Sequence, residues 1–230
     1  MFNRLHLLRL TTLAVIIASL ASISFSQAQA PAKSPTRYEV SIRTGVQVKM
    51  RDGVTLIADV YSPKAEGKFP VLLTRTPYNR RDPMTGTFLA SHGYVVVLQD
   101  TRGRFDSGGE FYPFKYESED GFDTVEWAAA LENSNGMVGT FGGSYVGATQ
   151  MLAAIAKPPH LKAIFPYVTA SEYYDGWTYQ NGAWMQAFSS TWTTGLAQDT
   201  LRRKASAMAN MQEWMKQLPV EDYKLIGQPT

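Results

Sequence analysis

No cysteine occurs among the 230 residues, and only three histidines do. The first absence excludes a disulfide scaffold, a thiolate nucleophile, an iron–sulfur cluster, a Cys-ligated zinc site and a lipid-anchored N-terminal cysteine. The second leaves little from which to build a metal centre, so neither a metal nor any other cofactor is expected. Charge of one sign is also lacking. The formal net charge is +2, and Arg4 and Arg9 lie in a leading segment expected to be removed, after which acids and bases balance. A balanced surface gives no electrostatic reason to expect nucleic acid as a partner. What is present is ordinary for one medium globular domain, with 44% hydrophobic and 18% charged residues, 18 Gly and 12 Pro.

The leading segment runs from Met1 to about Ala30. Arg4, His6 and Arg9 form a basic start, Leu13 to Ala21 is an apolar run, and SISFSQAQA is small and polar. Together these read as a secretory signal peptide. The apolar run falls short of the roughly 20 residues a spanning helix needs, so no stable membrane anchor is expected. Cleavage is expected after Ala28 or Ala30, with Ala28 favoured because the later cut places Pro31, which has no N–H, just beyond the scissile bond. Export in a chain without cysteine points to a periplasmic or secreted protein held together by its core alone.

A Pro/Ser-rich linker, residues 31–37, precedes the domain. VQVKMRDGVTLIADVY alternates apolar and polar residues on both sides of Asp52-Gly53 and predicts an antiparallel hairpin. FPVLLTRTPY and YVVVLQD are continuous apolar runs, as expected of parallel strands covered on both faces. Pro83 to Ser91 supplies the crossover helix between them. Glu117 to Leu131 reads as the next helix, Met137 to Phe141 as a third strand, Tyr145 to Ala156 as a further helix and LKAIFPYV as a further strand. The order predicts an α/β fold with a mostly parallel sheet and an N-terminal antiparallel hairpin.

GTFGGSYVGATQ, residues 139–150, stands directly after a strand and directly before a helix, with Ser144 at the bend. In a nucleophile elbow the serine hydroxyl projects above the carboxyl edge of the sheet, and small neighbours let helix and strand approach. The usual spacing is G-x-S-x-G, whereas this chain reads G-G-S-Y-V-G, its second glycine one place later. Taken alone, Ser144 reads equally well as a helix N-cap.

Gly-x-Ser-Tyr-x-Gly preceded by SNGMVGTF resembles the cocaine-esterase-like (CocE/NonD-type) and X-Pro dipeptidyl-peptidase family of α/β-hydrolases. TPYNR from Thr76, DTRGRFDSGGEFYPF from Asp100 and EDGFDTVEWAAA before the elbow look like that family's segments in the same order. The resemblance runs from about Tyr38 to the end of the chain. It implies Ser144 as nucleophile, the backbone N–H of Tyr145 as one oxyanion donor and the hydroxyl of Tyr78 as the other. It implies that residues 38–170 are the N-terminal part of an α/β-hydrolase domain and that residues 171–230 begin a helical cap. Asp100 and Arg102 read as an ion pair bracing a loop.

A serine hydroxyl needs a base, usually a histidine oriented by a carboxylate. His92 precedes a strand, and His160 follows about 13 residues of helix, about 20 Å, from Ser144. Both are therefore expected at the opposite edge of the sheet. No acid stands between Ser144 and His160, against the Ser, Asp or Glu, His order of this fold. The missing partners are expected beyond Thr230, this chain being less than half of such a protein.

In SEYYDGWTYQNGAWMQAFSSTW, residues Tyr173, Trp177, Trp184, Phe188 and Trp192 fall close to one helical face, which predicts packing of a cap helix or lining of an acyl pocket. Trp177, Asn181 and Trp184 are candidate pocket residues. In the branch resembling α-amino-acid ester hydrolases a carboxylate shortly after D-G-W binds the substrate ammonium. Asn181 aligns there without a charge, though Glu172 or Asp175 could substitute.

The function expected is a secreted serine hydrolase that cleaves an ester or amide of a small molecule or short peptide. An X-Pro dipeptidyl peptidase and a non-catalytic binding protein or decayed gene product are the alternatives. The 230-residue chain alone is expected to be inactive and to self-associate through an uncovered strand edge.

Overall fold

The computed structural model describes residues 37–203. The signal-peptide and linker readings up to residue 36, and the end of the cap reading after residue 203, fall outside them. A six-stranded sheet has the order β1-β2-β4-β3-β5-β6. It is built from β1 (Val40–Lys49), β2 (Thr55–Pro63), β3 (Phe69–Thr76), β4 (Val95–Asp100), β5 (Ser134–Gly143) and β6 (Leu161–Tyr167). β1 and β2 are the antiparallel hairpin at one edge, and β2 meets β4 antiparallel. β4, β3, β5 and β6 then run parallel. Every strand and helix expected up to residue 167 is present, and β5 starts three residues earlier than the Met137 read from the sequence.

The alternation of β4 explains its unbroken apolar run. Val95 and Val97 enter one core with Val71, Leu73, Val125 and Val138, while Val96 and Leu98 enter a second with Tyr61 and Ala90. Helix α1 (Pro83–Ser91) supplies Ala90 on that second face. Helix α2 (Glu117–Ala129) supplies Val125 and Ala128 on the first, alongside α3 (Tyr145–Ile155). Asp82 caps α1 by accepting from the Thr85 N–H at 3.0 Å, with Pro83 at the first helical position, where its missing N–H costs nothing.

Residues 171–185 correct the expected cap helix. They form bends and a small hairpin of β7 (Tyr179–Gln180) and β8 (Ala183–Trp184), and helix α4 (Gln186–Arg203) starts only afterwards. Gly176 and the Asn181-Gly182 turn take positive φ angles, which a helix cannot contain. Phe188 and Trp192 are thus on a helix, whereas Tyr173, Trp177 and Trp184 are not.

Four arginines just past the parallel strand ends, or on them, tie the loops of the carboxyl edge to the sheet. Arg80 bonds Asp59 at 3.0 Å, Asp106 at 2.7 Å and also Asp100. Burial alone would lower its pKa, but the hydrogen bonds it donates to Asp106, Asp100 and Asp59 outweigh that and hold it above the usual arginine value. Arg102 bonds Asp120 at 2.6 Å and Asp52 at 2.7 Å. The expected Asp100–Arg102 pair is therefore replaced by two separate clusters, because partners distant in sequence reach each group first. Arg75 meets Glu117 at 2.8 Å, and Arg104 lies 3.8 Å from Asp199 of α4.

Among the described residues β6 is paired only through β5. Phe165 on it and Val168 just after it are 67% and 84% exposed, the apolar edge on which the expected self-association would act.

Replacing Arg80 by Met leaves the buried Asp59 and Asp100 without a counter-charge, each keeping a backbone N–H donor, from Gly45 and from residue 80. The expected loss of stability is about 3–5 kcal/mol, read as a drop in urea midpoint with an unchanged slope. A loss below about 1 kcal/mol would show that the cluster is not a structural brace.

Candidate active site

The turn between β5 and α3 is built on close approach. Gly142 has φ of 136°, and a Cβ there would fall 2.3 Å from Val146 Cγ1. A Cβ on Gly147 would fall 2.6 Å from Thr169, in the segment that follows β6. That contact accounts for the displaced glycine of the motif: Val146 fills the place of the usual second glycine, and the position needing no side chain is the next one.

Ser144 has φ of 58° and ψ of −129°. For a residue with a side chain this is a strained conformation costing on the order of 1–3 kcal/mol. Its N–H donates to the carbonyls of Tyr167 at 3.0 Å and Val168 at 3.1 Å, so the end of β6 holds the bend. Val168 is itself left-handed, at φ 47°. The buried Gln150 amide stitches the turn from beneath. Its Nε2 donates to Gly142 O at 2.9 Å and Val146 O at 3.0 Å, and its Oε1 accepts from Phe165 N–H at 2.9 Å.

Ser144 occupies the N-cap position of α3, yet its side chain makes no capping hydrogen bond. Of the two readings the sequence left open, capping is thereby removed, and the hydroxyl stands at the carboxyl end of β5. Tyr145 opens α3, so its N–H has no partner within the helix and sits where the helix dipole favours negative charge.

The Tyr145 side chain is fully buried and anchors that N–H. Its hydroxyl donates to Glu117 Oε1 at 2.8 Å and accepts from Phe114 N–H at 2.9 Å. Burial, reinforced by the Glu117 charge, raises its pKa and keeps it a neutral donor. Glu117 is in turn held by Arg75. Sequence reading missed Glu117, Gln150 and Phe114, since nothing in local spacing reveals which buried polar groups meet across elements.

Tyr78 lies on the same edge, in the loop after β3, 43% exposed. Its ring is edge-on to that of Tyr145 at 6.5 Å between centroids, and its oxygen accepts from Trp192 Nε1 at 3.1 Å. Around these stands a cluster of aromatic rings. Phe114 stacks on Tyr145 at 4.6 Å and meets Tyr173 at 4.9 Å and Trp192 at 6.2 Å. Trp177 joins Tyr173 at 4.9 Å and Phe188 at 6.0 Å. The structure thus brings Ser144, Tyr145, Tyr78 and Trp177 to one region. Asn181 is instead the left-handed tip of the β7–β8 turn, and Trp184 pairs with Tyr179 outside the stacked rings. Glu172 spends its carboxylate on the N–H groups of Tyr174 and Asp175, both at 2.6 Å.

The two described histidines are where the sequence put them. His92, with Nδ1 2.6 Å from Phe88 O, precedes β4. His160, with Nδ1 2.7 Å from Glu126, precedes β6. Both stand at the amino edge, opposite Ser144. Among the described residues no cluster of three or more His, Asp or Glu could hold a metal, and no helix is long and apolar enough to cross a membrane.

Comparison with known proteins agrees with this geometry. Residues 52–225 match the X-Pro dipeptidyl-peptidase (S15 family) model. The chain is 42% identical over 141 residues to cocaine esterase of Rhodococcus sp. (strain MB1 Bresler), covering 58% of this chain and 25% of that protein. A CocE/NonD family hydrolase from Staphylococcus aureus superimposes with a TM-score of 0.65 at 31% identity, covering 76% of this chain and 36% of that one. An α-amino acid ester hydrolase gives a TM-score of 0.63 at 26% identity, covering 77% and 33%. The chain therefore spans between about a quarter and about a third of the length of these relatives. With an α/β-hydrolase sheet, a serine at its elbow and a match covering most of its length, the chain belongs to the X-Pro dipeptidyl-peptidase (S15) family of hydrolases, which it shares with CocE/NonD-type esterases.

Proposed function

We propose that this chain carries the nucleophile and oxyanion hole of an exported serine hydrolase acting through an acyl-enzyme. The observation that supports this best is Ser144 itself, held in a strained left-handed bend with its hydroxyl uncommitted to capping. Strain of this kind persists where surrounding structure over-determines it, and here β6, Gln150 and two glycines do so.

In the proposed reaction Ser144 Oγ loses its proton to a base and attacks the substrate carbonyl carbon. The carbonyl oxygen takes the negative charge and receives hydrogen bonds from the Tyr145 N–H and the Tyr78 O–H. Collapse of the adduct expels an alcohol or amine, which takes up the proton, and water then releases the acid and restores Ser144. The base and its orienting carboxylate are proposed to lie outside residues 37–203, because both described histidines stand on the other edge. On that ground the 230-residue chain by itself is proposed to turn over no ester.

The aromatic cluster beside Tyr145 suits an apolar acyl group of a small molecule or short peptide. Ester cleavage is proposed ahead of the X-Pro dipeptidyl-peptidase reading, and within the ester branch the commitment of Glu172 to its own turn speaks against its receiving a substrate ammonium as in α-amino-acid ester hydrolases. Glu172 is held below the usual carboxylate range by the backbone N–H groups of Tyr174 and Asp175, so it stays ionised in that turn. Side-by-side assay of a 4-nitrophenyl ester and an X-Pro anilide decides between the two.

In the full-length protein a labelled fluorophosphonate should attach to Ser144, and Ser144→Ala should abolish both labelling and turnover without changing the thermal midpoint by more than a few degrees. Attachment to another serine would overturn the assignment. Tyr78→Phe should lower kcat on the order of a hundredfold with little change in KM, as loss of one oxyanion donor does. An unchanged kcat would remove Tyr78 from the site. Export is tested by expressing the chain with its own leader in a Gram-negative host: the mature protein should begin at Gln29 in the periplasmic fraction, and an intact Met1 would refute cleavage.

A further inference from the structure

We infer that Trp192 is a positioning residue for the oxyanion hole, an inference that rests on the assignment of Tyr78 as an oxyanion donor. An indole N–H can only donate. The 3.1 Å contact between Trp192 Nε1 and the Tyr78 oxygen therefore fixes Tyr78 as acceptor on that side. A phenolic O–H prefers the plane of its ring, which leaves two orientations for the proton. Because the indole N–H is donated to the Tyr78 oxygen, the proton of Tyr78 is directed away from Trp192 and is free for a substrate oxygen. Without the indole, a phenol as exposed as Tyr78 would divide its proton between both orientations and water.

Both partners are held in place. The Tyr78 N–H donates to Thr76 Oγ1 at 3.0 Å. Trp192 is near-parallel to both Phe188, at 6.5 Å and 6° between ring planes, and Phe114, at 6.2 Å and 18°. One guanidinium spans the two segments: Arg104 Nε donates to the Pro77 carbonyl, next to Tyr78, at 2.8 Å, and its Nη1 donates to the Leu196 carbonyl, one helical turn past Trp192, at 2.7 Å. Arg104 is buried and lies 4.8 Å from the centroid of the Phe111 ring. Helix α4 in this way positions the oxyanion hole through Tyr78. The chain of donors from indole to phenol to oxyanion also polarises in one direction, which strengthens the last bond.

The alternative is that Trp192 contributes only ring surface, and Trp192→Phe separates the two because it keeps an aromatic ring in the stack and removes the N–H. Two measurements are required. In the full-length protein with 15N-labelled tryptophan, the Trp192 indole signal is identified by its loss in Trp192→Phe. Tyr78→Phe, which leaves Trp192 untouched, should move that signal upfield and speed its exchange with water. In the full-length protein Trp192→Phe should lower kcat roughly fivefold, with KM held within about twofold. In the Tyr78→Phe background the same change should have no further effect.

An indole signal indifferent to Tyr78→Phe overturns the inference. So does a kcat loss in Trp192→Phe that is equally large with and without the Tyr78 hydroxyl, or no loss at all. If Tyr78→Phe alone leaves kcat unchanged, the oxyanion assignment has failed and the inference falls with it. A large Tyr78 effect with no Trp192 effect refutes the inference alone.

Discussion

The structure depends on one conformational constraint, the left-handed backbone of Ser144 at the junction of β5 and α3. A side chain at that φ is disfavoured, so the bend exists only because its surroundings leave no alternative. Its N–H is bonded to two carbonyls at the end of β6. Its flanks are closed by a glycine that must have no Cβ because Val146 is there, and by another that must have none because Thr169 is. The buried Gln150 amide fastens β5, α3 and β6 to one another beneath it. Each contact joins segments adjacent in space, so strand order and bend specify one another.

Around the bend, charge serves as architecture. Buried ion pairs are weak evidence for stability in themselves, since desolvation offsets much of their attraction. Their effect here is geometric. Arg80, Arg102, Arg75 and Arg104 each take partners from separate elements, and planar multi-donor guanidinium groups fix those elements at defined angles. Arg75 and Glu117 stand behind the Tyr145 hydroxyl, which anchors the N–H that follows Ser144. Arg104 stands behind the loop of Tyr78 and the helix of Trp192. The positions of both proposed oxyanion donors are thus set by buried arginines that do not reach the site.

Much of the fold was legible because its strands carry period and continuity. The alternation around Asp52-Gly53 requires a hairpin, and the unbroken run Val95–Leu98 requires a strand with cores on both faces. The failure came at residues 171–185. Aromatic residues at 173, 177, 184, 188 and 192 have helical spacing, but Gly176 and Asn181-Gly182 bend the chain back on itself, and the rings meet by folding rather than by lying along a helix. The same bend carried Asn181, expected in the pocket, to an exposed turn tip.

The sequence by itself determined the order of elements, the serine at the strand-to-helix turn and the placement of His92 and His160 before strands that start at the opposite edge. These are properties of local pattern and of the direction in which parallel strands run. Only the tertiary structure decided which charges pair. Asp100 stands two residues from Arg102 yet bonds Arg80, because the loop after β3 crosses over the end of β4. Only the tertiary structure, too, showed that the Ser144 hydroxyl is not a cap, that the extra residue before Gly147 answers a contact with Thr169, and that Trp192 meets Tyr78 across 114 positions of chain. Partner choice at such separations depends on where whole elements pack, and no local period encodes it.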